Sequence, residues 1–232
     1  MKHIYICGDS FGTQDPEYSK HCWTALLAQK FDSIATVVNL SRVCASNLHI
    51  AQQLDRAMSY QADYIIYLAT SSTRDDVRLR PTQCNETLLD RFVDLQHPDQ
   101  DQDLTSYSVV SLDHTTLFDR RQLQLLQDYR DKFFDLDLAI YRNELIIQAS
   151  LARLTHSNIP FLFDRGGFEH ASFATPADQV YFEQYRKSFS KINLWDHVVG
   201  QPIQHRPYYH IQDPAVHQHI ADYYYNAIKD SL

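Results

Sequence analysis

Apolar runs and amphipathic stretches alternate along the first seventy residues of the chain. Short apolar runs at 4–7, 34–40 and 63–69 have the length and composition of buried strands. Apolar residues at helical spacing predict helices between them, at 18–30 and 46–58. Three strands linked by two helical crossovers indicate a doubly wound α/β domain with a parallel sheet.

The pattern breaks between residues 74 and 116, where the chain is polar and keeps no sustained period. Within this stretch, residues 97–103 have the sequence His-Pro-Asp-Gln-Asp-Gln-Asp. We interpret residues 74–116 as a loop inserted into the domain. An insertion of this length in a compact domain is usually a functional lid or a mobile segment.

Helical spacing returns at residues 117–155, which predict one long helix or two helices with a bend near 135–137. We interpret the apolar stripe of this region as part of the core, because such stripes normally face the protein interior. The stripe contains Leu123, Leu126, Tyr129, Phe133, Ile140, Leu145 and Leu151.

The C-terminal part of the chain is predicted to complete a sheet of five strands. Four elements are predicted there: a strand at 159–163, a helix at 177–189, a short strand at 192–195 and a helix at 215–229. Asp213 is the expected N-cap of the last helix, and Pro214 suits its first helical position.

The composition fits one domain that spans residues 1–232. With 44% hydrophobic residues, a chain of this length can bury one substantial core. The formal net charge of -8 argues against nucleic acid or an anionic membrane as a partner, since both are bound through Lys and Arg. The early first strand leaves no room for a signal peptide and no long apolar run follows, so we expect a soluble, cytoplasmic protein.

The cysteine and histidine patterns favour a protein without a metal or another cofactor. The cysteines lack the spacing of zinc ligands, so we expect reduced and mostly buried thiols; they are Cys7, Cys22, Cys44 and Cys84. The C-terminal histidines lack the spacing of a metal site; they are His205, His210, His217 and His219. Within the last predicted helix, we expect one of His217 and His219 to pack and the other to face solvent.

Gly8-Asp9-Ser10 directly follows the first predicted strand and places a serine hydroxyl at its carboxyl end. Ligands of parallel α/β sheets bind at this edge. With Gly12, the segment also fits the Gly-x-Ser-x-Gly pattern of the α/β-hydrolase nucleophile elbow. Several strands precede the serine of that elbow, whereas one strand precedes Ser10, which excludes the elbow.

The Gly-Asp-Ser segment resembles the start of the SGNH (GDSL-type) hydrolases, and His210 before the last helix resembles their final segment. The resemblance implies a flavodoxin-like, three-layer α/β/α sandwich around a mostly parallel five-stranded sheet. It also implies that Ser10 is the nucleophile and His210 the base. We interpret Asp9 as the residue that holds the turn through hydrogen bonds to the backbone.

Three positions depart from the pattern of this family. Cys44 replaces a glycine whose backbone N–H completes the oxyanion hole, and a cysteine N–H can still donate. Ser72 replaces an asparagine, and its hydroxyl can donate one hydrogen bond. Pro207 replaces the acid that orients the histidine. His210 therefore either forms a Ser-His dyad or takes a carboxylate from elsewhere, with Asp213, Asp196 and Asp164 as candidates.

Two hypotheses follow from the resemblance. The first is a hydrolase of carboxylic esters, either small molecules or O-acetyl groups of a carbohydrate, that forms an acyl-serine. Its oxyanion hole would comprise Ser10, Cys44 and Ser72, and its substrate contacts would be Asn47, Thr70 and Arg74. The second is a catalytically impaired binding or structural module, a homo-oligomer or an assembly component, associated with a glycan or, if phage-encoded, with a virion.

Overall fold

In the computed structural model of the chain, the described residues include four parallel strands that form one sheet. The structure describes residues 1–13, 19–42, 45–72, 120–165, 183–190, 194, 211 and 213–232. The strands are β1 (Lys2–Cys7), β2 (Ala35–Asn39), β3 (Tyr64–Leu68) and β4 (Phe161–Asp164). Their order is β2-β1-β3-β4, so β1 and β3 are the two inner strands.

The two inner strands are apolar because both of their faces are covered. Ile4 to Cys7 of β1 and all five residues of β3 are buried. In parallel register, Ile4 pairs with Tyr64 and Cys7 with Tyr67. A continuous apolar run, without alternation, is typical of a strand covered by helices on both sides.

Five helices accompany the sheet in the described part of the chain. They are α1 (Trp23–Phe31), α2 (Asn47–Ser59), α3 (Arg120–Lys132), α4 (Leu136–Ser157) and α5 (Pro214–Ile228). The predicted bend near 135–137 is thus the end of one helix and the start of another. Asp135 caps α4 by accepting a hydrogen bond from the Leu138 N–H, which starts a new helix at this point.

The helices cover both faces of the sheet and produce the predicted three layers. On one face, α1 and α5 pack together, and the rings of Trp23 and Tyr224 stack with centroids 5.0 Å apart. On the other face, α2 and α4 bury Leu54 and Leu151 against Tyr67. Each face therefore has its own apolar core, with the sheet between them.

The N-terminus of α5 agrees with the sequence prediction. Asp213 accepts a hydrogen bond from the Ala215 N–H, and Pro214 occupies the first helical position. The Asp side chain satisfies one of the N–H groups that a helix start leaves without a partner, and Pro lacks such a group.

The predicted core stripe of the long helical region is wrong at two positions. Phe133 is 74% exposed and Leu145 is 46% exposed, whereas Leu151 is fully buried. The inward face of α4 includes two polar residues, Asn143 and Glu144, which are buried with polar partners. Apolar spacing alone cannot reveal a face that buries paired polar groups, which accounts for Leu145. Phe133 lies in the turn between α3 and α4, so it has no helix face to pack.

The fifth strand predicted at 192–195 lies outside the described residues except for Leu194, which is fully buried and is not in a strand. Beside β4, Phe189 instead forms an isolated parallel bridge with Phe163. The predicted helix at 177–189 is described only from residue 183, and it ends differently because Phe189 is extended. The predicted insertion at 74–116 lies outside the described residues.

The described residues contain neither a membrane-spanning helix nor a cluster of metal-ligating side chains. Among the described helices, none has the length and apolar character needed to cross a lipid bilayer. No group of three His, Cys, Asp or Glu side chains in the described ranges is placed to hold a metal ion. Of the cysteines, Cys7 and Cys22 lie in the described ranges, and both are buried, as expected for them.

Leu151→Ala should destabilise the protein by about 2–5 kcal/mol, because it opens a cavity between α4 and the sheet. Leu145→Ala, on the same helix, removes an exposed side chain and should change stability by less than about 0.5 kcal/mol. Urea unfolding of the two variants measures the difference. Equal destabilisation would contradict the assigned inward face of α4.

Candidate active site

Ser10 lies in a tight turn at the carboxyl end of the inner strand β1. The Asp9 carbonyl accepts hydrogen bonds from the N–H groups of Gly12 (3.0 Å) and Thr13 (3.2 Å). These bonds curl the chain back directly after the strand. Ser10 is 6% exposed, so the turn holds its hydroxyl-bearing residue at the rim of the sheet with little access to bulk solvent.

The Asp9 carboxylate holds this turn and links it to the exit of β3. It is fully buried, and its Oδ1 accepts from the Phe11 N–H at 3.0 Å. Its Oδ2 accepts from the Thr70 hydroxyl at 2.6 Å. The interpretation of Asp9 as the residue that fixes the turn is therefore confirmed. Charge-assisted bonds of this kind are about twice as strong as neutral ones.

Two side-chain amides of α2 hold the backbone at the exits of both inner strands. Gln53 accepts from the Gly8 N–H (2.7 Å) and donates to the Gly8 carbonyl (3.1 Å). Asn47 accepts from the Thr70 N–H (3.0 Å) and donates to the Thr70 carbonyl (3.2 Å). Each amide thus pairs with both backbone groups of one residue just past the end of a strand, and the Gly8 carbonyl also accepts from the Arg42 N–H at 3.1 Å.

Asn47 and Thr70 are two of the predicted substrate contacts. Both are buried, and their side chains take part in hydrogen bonds that hold the rim. Their contact with a substrate stays a prediction. The third, Arg74, lies outside the described residues.

Gly8 and Gly12 occupy positions that leave no room for a side chain. A Cβ at Gly8 would lie 2.9 Å from the Leu68 Cβ on β3. A Cβ at Gly12 would collide with the Ser41 hydroxyl, which lies at the exit of β2. Close approach of backbone to neighbouring atoms is one reason that a chain uses glycine.

Ser72 belongs to a buried cluster with Glu144 of α4 and Arg165 at the end of β4. The Ser72 hydroxyl donates to Glu144 Oε1 at 2.6 Å. The Arg165 guanidinium donates to both carboxylate oxygens of Glu144, at 2.8 and 3.1 Å. All three side chains are buried. Because a hydroxyl has one proton, Ser72 cannot serve Glu144 and an oxyanion at the same time.

Sequence reasoning missed Glu144 and Arg165. Glu144 lies 21 residues before Arg165 and next to an apolar stripe, so no local spacing connects the two. Arg165 offered one signal, since it lies two residues after the predicted fourth strand and therefore at the edge where ligands bind.

Cys7, although close to Ser10 in the chain, is not a candidate nucleophile. It is fully buried, and burial raises the pKa of its thiol well above the usual range. A thiol must lose its proton to attack, so this group is inert at neutral pH. Of the two, the serine is the one with nucleophilic potential.

Among the three candidate orienting acids, Asp164 and Asp213 are described. Asp164 is buried at the carboxyl end of β4, close to Tyr224 of α5. Burial raises the pKa of the Tyr224 hydroxyl, and the negative charge of Asp164 raises it further. Asp213 is exposed and caps α5. Asp196 lies outside the described residues, as do His210, Cys44 and Pro207.

Comparison with solved structures finds two proteins of similar fold over nearly the whole chain. One is the psychrotrophic esterase EstA from Pseudoalteromonas sp., with 12% identity, a TM-score of 0.52 and coverage of 99% of this chain and 98% of that one. The other is TesA, with 11% identity, a TM-score of 0.52 and full coverage of both chains. The chain has the SGNH-hydrolase fold.

The described strands and helices form the three-layer arrangement that the resemblance implied. No protein-family model matches the sequence. No curated protein matches it either. At 11–12% identity the likeness establishes the fold alone, and a shared fold does not fix the chemistry of the site.

Glu144→Ala should destabilise the protein by about 3–5 kcal/mol, because it leaves the Arg165 charge buried without its carboxylate. The double variant Glu144→Met with Arg165→Met should cost less than this single change, since it removes both charges. Denaturant unfolding measures both. Asp55→Asn, which breaks an exposed ion pair with Arg153, is the control and should have a small effect. A larger loss in the double variant would contradict the argument.

Proposed function

We propose that this protein is a serine hydrolase that acts on carboxylic esters and uses Ser10 as its nucleophile. The observation that carries the proposal is the position of Ser10 in a turn at the carboxyl end of an inner strand, held by the Asp9 carboxylate and by Gln53. A hydroxyl held in this way on a rigid element meets the first requirement of nucleophilic catalysis. The shared fold with an esterase supports the reaction class.

In the proposed reaction, His210 takes the proton of the Ser10 hydroxyl while the serine oxygen attacks the ester carbonyl carbon. The tetrahedral intermediate then expels the alcohol, which receives that proton from His210, and an acyl-serine remains. Water, deprotonated by His210, attacks the acyl group and releases the carboxylic acid. Ser10 regains its proton in this step, so the enzyme returns to its starting state.

We propose that the backbone N–H groups of Ser10 and Cys44 stabilise the oxyanion. Backbone donors aimed at the developing charge need no reorganisation during the reaction. The Ser72 hydroxyl can join them only by turning its proton away from Glu144, which accepts it at 2.6 Å.

Of the three candidate acids, we propose Asp164 as the group that orients His210. It is buried at the carboxyl end of β4, whereas the Asp213 carboxylate is exposed and engaged as a helix cap. A buried carboxylate holds an imidazole more firmly because solvent screens its charge less. Its use would replace the acid that Pro207 removes from the family pattern.

Ser10→Ala should abolish labelling by a fluorophosphonate probe and the hydrolysis of p-nitrophenyl acetate, because the probe and the ester need the same hydroxyl. The phosphonate is a suitable reagent because the structural relative EstA is described as inhibited by monoethylphosphonate. Ser59→Ala, which removes an exposed hydroxyl on α2, should leave both readouts unchanged. Equal labelling of wild type and Ser10→Ala, or no labelling of wild type, would reject the proposal.

Ser72→Ala should lower kcat by less than about tenfold, because the variant keeps both backbone donors and the Glu144 to Arg165 pair. Loss of an oxyanion donor, in contrast, costs about 10²–10³ in kcat. Steady-state kinetics on p-nitrophenyl acetate separate the two outcomes. A loss in the larger range would establish the Ser72 hydroxyl as a donor to the oxyanion.

The hydrogen bond between Ser72 and Glu144 also favours a second candidate, a binding or structural module that lost its chemistry. In that case the cluster serves only to hold the rim, and the protein acts within an assembly or on a glycan. An absence of labelling, combined with a self-associated species in size-exclusion chromatography with light scattering, would favour this candidate. A monomer at high concentration would count against its homo-oligomeric form.

A further inference from the structure

The imidazole of His217 bridges two segments of the chain that are far apart in sequence. Its Nδ1 accepts a hydrogen bond from the Trp23 N–H at 3.0 Å, at the start of α1. Its Nε2 lies 3.1 Å from the carbonyl oxygen of Ile211, just before α5. His219, two residues further along α5, is exposed. The expectation that one of these histidines packs and the other faces solvent is therefore confirmed.

The bridge gives α1 a cap that its own N-terminus does not supply. Cys22 occupies the N-cap position, and its side chain makes no capping hydrogen bond. The first N–H groups of a helix need an acceptor from elsewhere, and His217 provides a ring nitrogen for one of them. A nitrogen that accepts a hydrogen bond carries no proton, so the imidazole is neutral. Its one proton is then on Nε2, which donates to Ile211.

The Trp23 end of the bridge is one hydrogen bond and one residue away from Ser10, and the Ile211 end is one residue away from His210. The indole N–H of Trp23 donates to the Phe11 carbonyl at 2.8 Å, and Phe11 directly follows Ser10. Ile211 directly follows His210 and is buried in the core between the sheet and α5. His217 therefore ties the nucleophile turn, through Trp23, to the segment that carries the proposed base.

We propose that His217 is a positioning residue for the hydrolytic reaction, an inference that rests on the proposed function. By holding the Ile211 carbonyl and the start of α1 together, it restricts the backbone beside His210 to one register relative to the Ser10 turn. Only the neutral imidazole can do this. Protonation removes the acceptor that Trp23 uses and places a positive charge at a helix N-terminus, where positive charge is unfavourable.

The ionisable groups around the bridge are few among the described residues. The elements packed against His217 carry Lys20, His21 and Cys22, and its own helix carries Asp213 and His219 near the same end. The ion pair between Lys30 and Asp222 joins the far ends of the two helices. None of these residues replaces the ring nitrogen at the Trp23 N–H.

The first test measures the bridge without enzymatic activity. His217→Gln keeps one acceptor and one donor but does not titrate, and His219→Gln is the control on the exposed side of α5. The unfolded state can protonate His217, whereas the bridged state cannot, so folding becomes weaker as the pH falls. Below about pH 6.5, the folding equilibrium constant of wild type should fall by about tenfold more per pH unit than that of His217→Gln.

His219→Gln should follow the wild-type pH dependence in this experiment, since it leaves the bridge intact. Denaturant unfolding at several pH values between 5 and 8 gives the three curves. If the stability of wild type and of His217→Gln changes with pH in the same way, the inference that His217 is neutral in the bridge is overturned. This result does not depend on what the protein catalyses.

The second test measures the effect on the reaction. His217→Phe removes both hydrogen bonds and should slow the fluorophosphonate labelling of Ser10 and lower kcat, each by about tenfold or more, with KM little changed. An unchanged KM with a lower kcat indicates an interaction that acts in the transition state. His217→Gln should restore most of the rate at pH 7.5, and His219→Phe should match wild type.

The outcomes separate the two proposals. If wild type is not labelled at Ser10, the proposed function fails, while the pH dependence of unfolding still tests the bridge. If wild type is labelled and His217→Phe reacts at the same rate, the positioning role is overturned. If His217→Phe does not fold, the labelling rate of folded His217→Gln decides. A rate tenfold or more below that of wild type at pH 7.5 overturns the positioning role, because the amide keeps the pair of hydrogen bonds.

Discussion

The rim of the sheet depends on a buried carboxylate that has to be fully paired. Asp9 lies at the end of an inner strand, out of contact with solvent, and a charge in that position is costly unless hydrogen bonds compensate it. The compensation comes from the Phe11 N–H within the turn and from the Thr70 hydroxyl on the neighbouring strand exit. The turn that presents Ser10 and the exit of β3 therefore hold one geometry together.

Other buried polar groups at the rim are also paired, some by neutral amides and some by an ion pair. At the ends of the two inner strands, Gln53 and Asn47 add side-chain amides as partners for the backbone groups of Gly8 and Thr70. Glu144 and Arg165 form the charged counterpart further along the rim, with Ser72 attached. Paired polar groups of this kind make a rigid support, which the proposed role of Ser10 as a nucleophile requires.

The strand exits could be predicted from sequence because the apolar runs that precede them are local and strong. The strand exits place Ser10 and Asp9. Asp213 can be predicted as a cap because helix N-caps favour Asp and a few other polar residues that are visible in the local sequence. The ion pair of Glu144 with Arg165 could not be predicted, since only the folded topology brings α4 to the end of β4. The exposure of Leu145 was missed because buried polar residues with partners shift the inward face of α4, and that of Phe133 because it lies in the turn between α3 and α4.

The two amides that hold the inner strand exits belong to one helix, six residues apart, which corresponds to about 9 Å along its axis. A helix is stiff over that length, so α2 couples the fluctuations of the two exits. The backbone amides of Gly8 and Thr70 should then become accessible to solvent hydrogen in one opening event, since neither clamp can be released by a shift of α2 without disturbing the other.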